Sequence, residues 1–189
     1  TAYEMTMGDW SSDVCSSVSL LSGQEPNVFS AKFSGGALMD LGVYTIYAAV
    51  LLFDAPQSVC YTAQQLPNSV DLNGSGSLIY PDFQVRIQAG KNINSHLPAE
   101  IYTDQGTLTL DGIEYIRSAI FLKLNGETES LAIRQADHQM LEEAQAFAQV
   151  LKGGQEELYS DYLQAAAAVH DCIFAMRKDA GIRFEVDHD

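Results

Sequence analysis

The sequence predicts an α+β domain: an open, mostly antiparallel β-sheet of about six or more strands, with one helix ahead of it and two helices after it. Three observations carry this. An apolar, helix-forming run extends from Ala37 to about Leu52 and is stopped by Asp54-Ala55-Pro56. Strand-like segments with short turns fill the middle of the chain. Two stretches with helical spacing follow them.

The elements can be justified in order. Ser58 to Gln64 is rich in β-formers, and Gly76 to Tyr80 follows an expected turn at Asn73-Gly74. Phe83, Val85, Ile87 and Ala89 alternate with Gln84, Arg86 and Gln88, a period of two with one wet face. Glu100 to Thr103 and Thr107 to Asp111 form a hairpin across Asp104-Gln105-Gly106. Ala119 to Leu124 and Ser130 to Ile133 flank a turn at Asn125-Gly126. The period then changes. Met140, Leu141, Ala144, Phe147, Ala148 and Leu151 make one helical stripe, capped by Asp137 and ended by Gly153. Tyr162, Leu163, Ala166, His170, Ile173 and Phe174 make another, with Ser160 as its cap.

Composition narrows the function. The 189 residues suffice for a sizeable core, and 25 acidic against 10 basic residues give a formal net charge of -15. Such a field repels phosphate backbones, so nucleic acid is not an expected partner. The longest apolar run, Val43 to Phe53, falls short of the roughly 20 residues of a membrane span, so no membrane is expected. Cys15, Cys60 and Cys172 form neither a disulfide framework nor a metal knuckle, and Cys60 and Cys172 read as core residues. This usage fits a reducing cytoplasm. The four histidines lack metal-ligand spacing, and His170 reads as a core histidine.

Chemistry concentrates in Ser34-Gly35-Gly36-Ala37-Leu38-Met39-Asp40-Leu41-Gly42-Val43-Tyr44. Asp40 and Tyr44 stand four residues apart, so a helix puts a carboxylate and a phenol on one face. Each has a plainer reading: a tyrosine on an apolar helix packs its ring, and an early aspartate favours the helix dipole. Gly35 and Gly36 either permit close packing or bring backbone N–H groups to a ligand. Lys91, after Ala89-Gly90, either reaches a substrate cleft or is a solvated edge-strand lysine.

The run resembles the helix that opens the substrate half of Gfo/Idh/MocA oxidoreductases, where the pattern is Gly-Gly-Ala-Leu-Met-Asp-hydrophobic-Gly-x-Tyr, with His for Tyr in many members. The likeness extends from about Asn27 to Phe184. It takes in Ala99-Glu100-Ile101-Tyr102-Thr103-Asp104-Gln105-Gly106-Thr107-Leu108, where Thr103 replaces a usual glycine, and Arg177-Lys178-Asp179-Ala180-Gly181-Ile182-Arg183-Phe184. The tyrosine variant is similar to glucose–fructose oxidoreductase and dihydrodiol dehydrogenase.

The resemblance implies the substrate-binding half of an NAD(P)-dependent oxidoreductase acting on CH–OH groups of a sugar, polyol or dihydrodiol. It implies Tyr44 as general acid or base, with Asp40 beside it in catalysis and substrate binding, and a homo-oligomer formed through the open sheet face; Gly36 and Lys91 are the further candidate substrate contacts. No GxGxxG opens a helix after a strand, and no Glu-Lys-Pro occurs. NAD or NADP is therefore expected to bind mainly on an upstream domain, with no Rossmann unit and no cofactor-binding or metal residue in this chain. Alone the chain is expected to be inactive. A non-catalytic binding or assembly module of the same fold is the alternative. Asp9-Trp10-Ser11-Ser12-Asp13-Val14-Cys15-Ser16-Ser17 resembles a translated sequencing adapter. Residues 1–20 are accordingly expected to be a non-native or disordered leader, and 21–189 the domain.

Overall fold

The computed structural model describes residues 2–9, 26–93, 95–133, 138 and 140–188. Eight strands form one sheet: β1 (Ala2–Asp9), β2 (Ser58–Gln65), β3 (Asp71–Ile79), β4 (Gln84–Gly90), β5 (Ala99–Thr103), β6 (Gly106–Leu110), β7 (Ala119–Lys123) and β8 (Thr128–Leu131). Their spatial order is β2-β3-β4-β1-β5-β6-β7-β8. The meanders β2–β3–β4 and β5–β6–β7–β8 are antiparallel throughout. Strand β1 bridges them, parallel to β4 and antiparallel to β5. The predicted α+β class and mostly antiparallel sheet are present.

Within the stretch expected as a leader, Ala2–Asp9 is a strand that pairs with both β4 and β5 and satisfies their facing ladder groups. Residues 10–25, including most of the adapter-like stretch and Cys15, lie outside the described residues, as does the cap expected at Asp137.

The opening helix α1 (Val43–Phe53) is preceded by a π-helical turn, Leu38–Gly42. It ends where Asp54 turns to positive φ before Pro56. The Tyr80 hydroxyl donates to the Asp54 carbonyl at 3.0 Å and fixes that end. The two later helices are α2 (Leu141–Lys152) and α3 (Glu156–Asp179). Helix α1 packs on α3, β4 and β1, while α3 packs on β2. The core between sheet and helices holds Ile46, Ala49, Val50, Tyr61, Leu78, Val85, Ile87, Val169, Ile173 and Met176. The stretch Ala31–Phe53 is long and apolar enough by composition to cross a membrane, contrary to the sequence reading, but half of its most apolar window is buried in this protein. It is the core element of the domain.

Four expectations are corrected. Asn73-Gly74 is not a turn but lies inside β3; the turn falls at Leu66–Ser69, where the Ser69 N–H donates to the Leu66 carbonyl. Gly74 and Gly76 serve the sheet instead, since a Cβ on Gly74 would sit 2.3 Å from the Tyr61 hydroxyl. Helix α3 starts at Glu156, not near Ser160, and buries Val169, Cys172, Ile173, Met176 and Arg177. Its inner face is thus rotated from the expected stripe, and His170 is exposed. The run Ala165-Ala166-Ala167-Ala168 gives no contrast between faces, so the sequence could not set the phase. Cys60 is exposed, on the outer sheet face, whereas Cys172 is buried as expected.

Candidate functional site

The site forms where the π turn meets the sheet. Asp40 lies within Leu38–Gly42, and Tyr44 opens α1 one turn later. A π turn widens the helix and is frequent at functional sites. It is held against β4 where Ala37, Leu41 and Ala89 pack together and Gly42 fits beside Leu38 and Ala89.

Tyr44 is 49% exposed, so its phenol opens toward solvent and is not sealed in the core. The Asp40 side chain is 44% exposed and pairs with the Lys91 ammonium, whose side chain is only 1% exposed. Lys91 therefore is not the solvated edge-strand lysine that composition allowed. It directly follows β4, an interior strand, and its ammonium lies 5.5 Å from the centre of the Phe29 ring. A buried ammonium needs a counter-charge, which Asp40 supplies from the partly open side.

Gly36 has a different place from the one expected. It is buried at φ +128°, and its N–H donates to the Val28 carbonyl at 2.9 Å, as that of Gly35 does to Ser30. A Cβ on Gly36 would stand 2.1 Å from Asp71 Oδ1. The glycine pair permits close packing, and its N–H groups are already used within the chain; substrate contact by Gly36 is replaced by this packing role.

Sequence reasoning missed Asp71 and Tyr61. Asp71 Oδ2 accepts the Leu38 N–H at 2.8 Å and the Tyr61 O–H at 3.0 Å, all buried. Burial pushes the Asp71 carboxyl above its ordinary range, against those two hydrogen bonds and the nearby Lys91 charge, which pull it down. Burial, with the Asp71 charge, also raises the Tyr61 phenol, so it stays a donor. The alternation Tyr61, Ala63 could have marked an inward tyrosine on β2, but an acid at the start of β3 reads as turn chemistry until β2 and α1 are placed around it.

Comparison with known proteins identifies the family and the fold. The family model for the GFO/IDH/MocA C-terminal domain matches residues 2–109. The chain belongs to the Gfo/Idh/MocA oxidoreductase family. Over 166 residues it is 32% identical to scyllo-inositol 2-dehydrogenase (NADP(+)) IolU of Bacillus subtilis, covering 88% of this chain and 51% of that protein. An uncharacterized oxidoreductase, YgjR of Escherichia coli, is 31% identical over 169 residues, with 88% and 50% covered. Aldose-aldose oxidoreductase from Caulobacter crescentus, solved with glycerol, has the same fold at a TM-score of 0.67 and 16% identity, over 94% of this chain and 54% of that one. The chain thus spans about half the length of the curated relatives it matches.

Proposed function

We propose that this chain is the substrate-side half of an NAD(P)-dependent oxidoreductase that acts on a CH–OH group of a polyol or sugar. The reading is carried by a half-exposed phenol, Tyr44, that follows Asp40 of the Asp40–Lys91 ion pair by four residues at the start of α1. Similarity to a scyllo-inositol 2-dehydrogenase (NADP(+)) supports a polyol substrate and NADP, and the fold shared with an aldose-aldose oxidoreductase is compatible with a sugar. The tyrosine at position 44 favours the glucose–fructose oxidoreductase or dihydrodiol dehydrogenase type within the family.

Among the described residues, the two glycine-rich stretches do not form a dinucleotide cradle. Gly74-Ser75-Gly76 is strand, and Gly153-Gly154 ends α2, so neither is a phosphate cradle. The nicotinamide, which gives or takes hydride, belongs in this reading to an upstream domain.

The chain's own part is proton transfer and positioning. The Tyr44 O–H donates a proton to the carbonyl oxygen of a ketone or aldehyde substrate during reduction, and the phenolate takes it back from the alcohol in oxidation. Asp40 has a second carboxylate oxygen for a substrate hydroxyl, while Lys91 holds the carboxylate in place. A free phenol ionises near pH 10, so a cation from the upstream domain is needed to make Tyr44 effective at neutral pH. The isolated chain is therefore inactive in this reading. Ile120 and Leu122 are exposed on the outer sheet face and supply the apolar centre for pairing with a second copy. The free Cys60 and Cys172 thiols support a reducing, cytoplasmic location.

The test joins this chain to its upstream coding sequence and assays NAD- and NADP-dependent oxidation of scyllo-inositol, other polyols and aldoses. Tyr44→Phe should lower turnover by roughly 10²–10⁴-fold with the fold intact. Full activity in Tyr44→Phe would refute the assignment of Tyr44. Ligand binding without hydride transfer across the panel would instead favour a non-catalytic module.

A further inference from the structure

One connection is bonded to the segments that carry both members of the Asp40–Lys91 pair and to Phe29 beside it. The segment from the β2–β3 turn into β3 makes three long-range bonds. Asn68 Nδ2 donates to the Phe29 carbonyl at 2.7 Å, and Phe29 is the ring beneath the Lys91 ammonium. Asp71 Oδ2 accepts the N–H of Leu38, two residues before Asp40. The Leu72 carbonyl accepts the N–H of Lys91 itself at 2.9 Å. Thus both members of the ion pair are tied, through their own backbone segments, to the adjacent residues Asp71 and Leu72. They come from segments 51 residues apart in sequence, and this common anchor adds to the direct packing of Ala37 and Leu41 on Ala89 in setting their separation.

The anchor is costly, which argues that it has a purpose. Asp71 is buried, and its Oδ1 has no hydrogen-bond partner among the described residues. A buried carboxyl with an unused oxygen costs stability, so its presence calls for a reason. Tyr61 grips the other oxygen from β2, and Gly36 lacks the Cβ that would evict Oδ1. Three separate segments therefore converge on this one side chain at the start of β3: the glycine turn, the π turn and β2.

We propose that Asp71, held by Tyr61, is a positioning residue that sets the register between Asp40 and Lys91. It touches no reacting atom; it acts by fixing the π turn relative to the end of β4. The proposal deepens the proton-transfer reading and rests on it for its purpose, but its geometry can be tested without substrate.

The experiment is NMR detection of the Lys91 side-chain ammonium in the folded chain, assigned by loss of the signal in Lys91→Arg. Its hydrogen exchange with water is compared in wild type, Asp71→Ala, Asp71→Asn and Tyr61→Phe, with backbone amide exchange of β3 and β4 as the control. Asp71→Ala should speed ammonium exchange by about ten-fold or more while the β3–β4 amides keep their protection. Asp71→Asn, which retains an acceptor for the Leu38 N–H, should recover most of the wild-type rate. Unchanged exchange in a folded Asp71→Ala would overturn the proposal, as would equal acceleration of the ammonium and of all β3–β4 amides. If Asp71→Ala does not fold, Tyr61→Phe decides: faster ammonium exchange supports the role, and an unchanged rate overturns it. Because no substrate is used, a joined protein that lacks turnover would sink the proton-transfer reading and leave this result standing.

Discussion

Asp40 and Lys91 form one ion pair, yet removing the two partners should have very different costs. Lys91 is the buried member, with 1% of its side chain exposed, whereas the Asp40 side chain is 44% exposed. Asp40→Ala strands an ammonium in the interior. Breaking a fully buried pair this way costs about 3–5 kcal/mol, and the exposure of Asp40 discounts that to about 2–3 kcal/mol. Phe29 and Asp71 remain near the ammonium and keep the cost from rising further. Lys91→Met keeps the apolar stem and leaves only a carboxylate that water can reach, for about 0–1 kcal/mol. The double variant should resemble Lys91→Met alone, which gives a coupling of about 2 kcal/mol between the sites. Equilibrium unfolding in urea measures all three. The reasoning fails if Asp40→Ala costs no more than Lys91→Met, or if the two losses simply add.

Four further outcomes follow from the same structure. Gly36→Ala places a Cβ 2.1 Å from Asp71 Oδ1 at φ +128°, so urea unfolding should show a loss of at least about 2 kcal/mol. Asp71 is raised above its unfolded value, so the folded state holds its proton more tightly; stability from this group is complete below about pH 3.8 and falls as pH rises through the folded value. Asp71→Asn removes that dependence, so its stability relative to wild type should improve on going from pH 4 upward; a constant difference would contradict the shift. Arg177 donates two bonds to Asp187 and stacks 4.1 Å from the Phe184 ring centre, so Arg177→Ala should cost roughly 2 kcal/mol and free the chain end to proteolysis. If the outer sheet face pairs two copies, Ile120→Glu with Leu122→Glu should yield a monomer in sedimentation without lowering the unfolding midpoint of the monomer.

What the sequence determined by itself was local. Alternation in Val85, Ile87 and Ala89 fixed which face of β4 is buried, and Asn125-Gly126 fixed the β7–β8 turn, because both follow from backbone geometry over a few residues. The glycine-rich motif likewise carried the family. The tertiary structure alone decided the rest. Ala2–Asp9 becomes the central strand only because β4 and β5 leave an unpaired ladder between them. Lys91 is a buried partner and not a solvated lysine because β4 lies inside the sheet, a matter of strand order that no local pattern records. Asp71 looks like a turn acid in the sequence and becomes the anchor of the site once Tyr61, Gly36 and Leu38 close around it. Burial and charge pairing depend on contacts made across long separations, and those are set by packing rather than by neighbours in the chain.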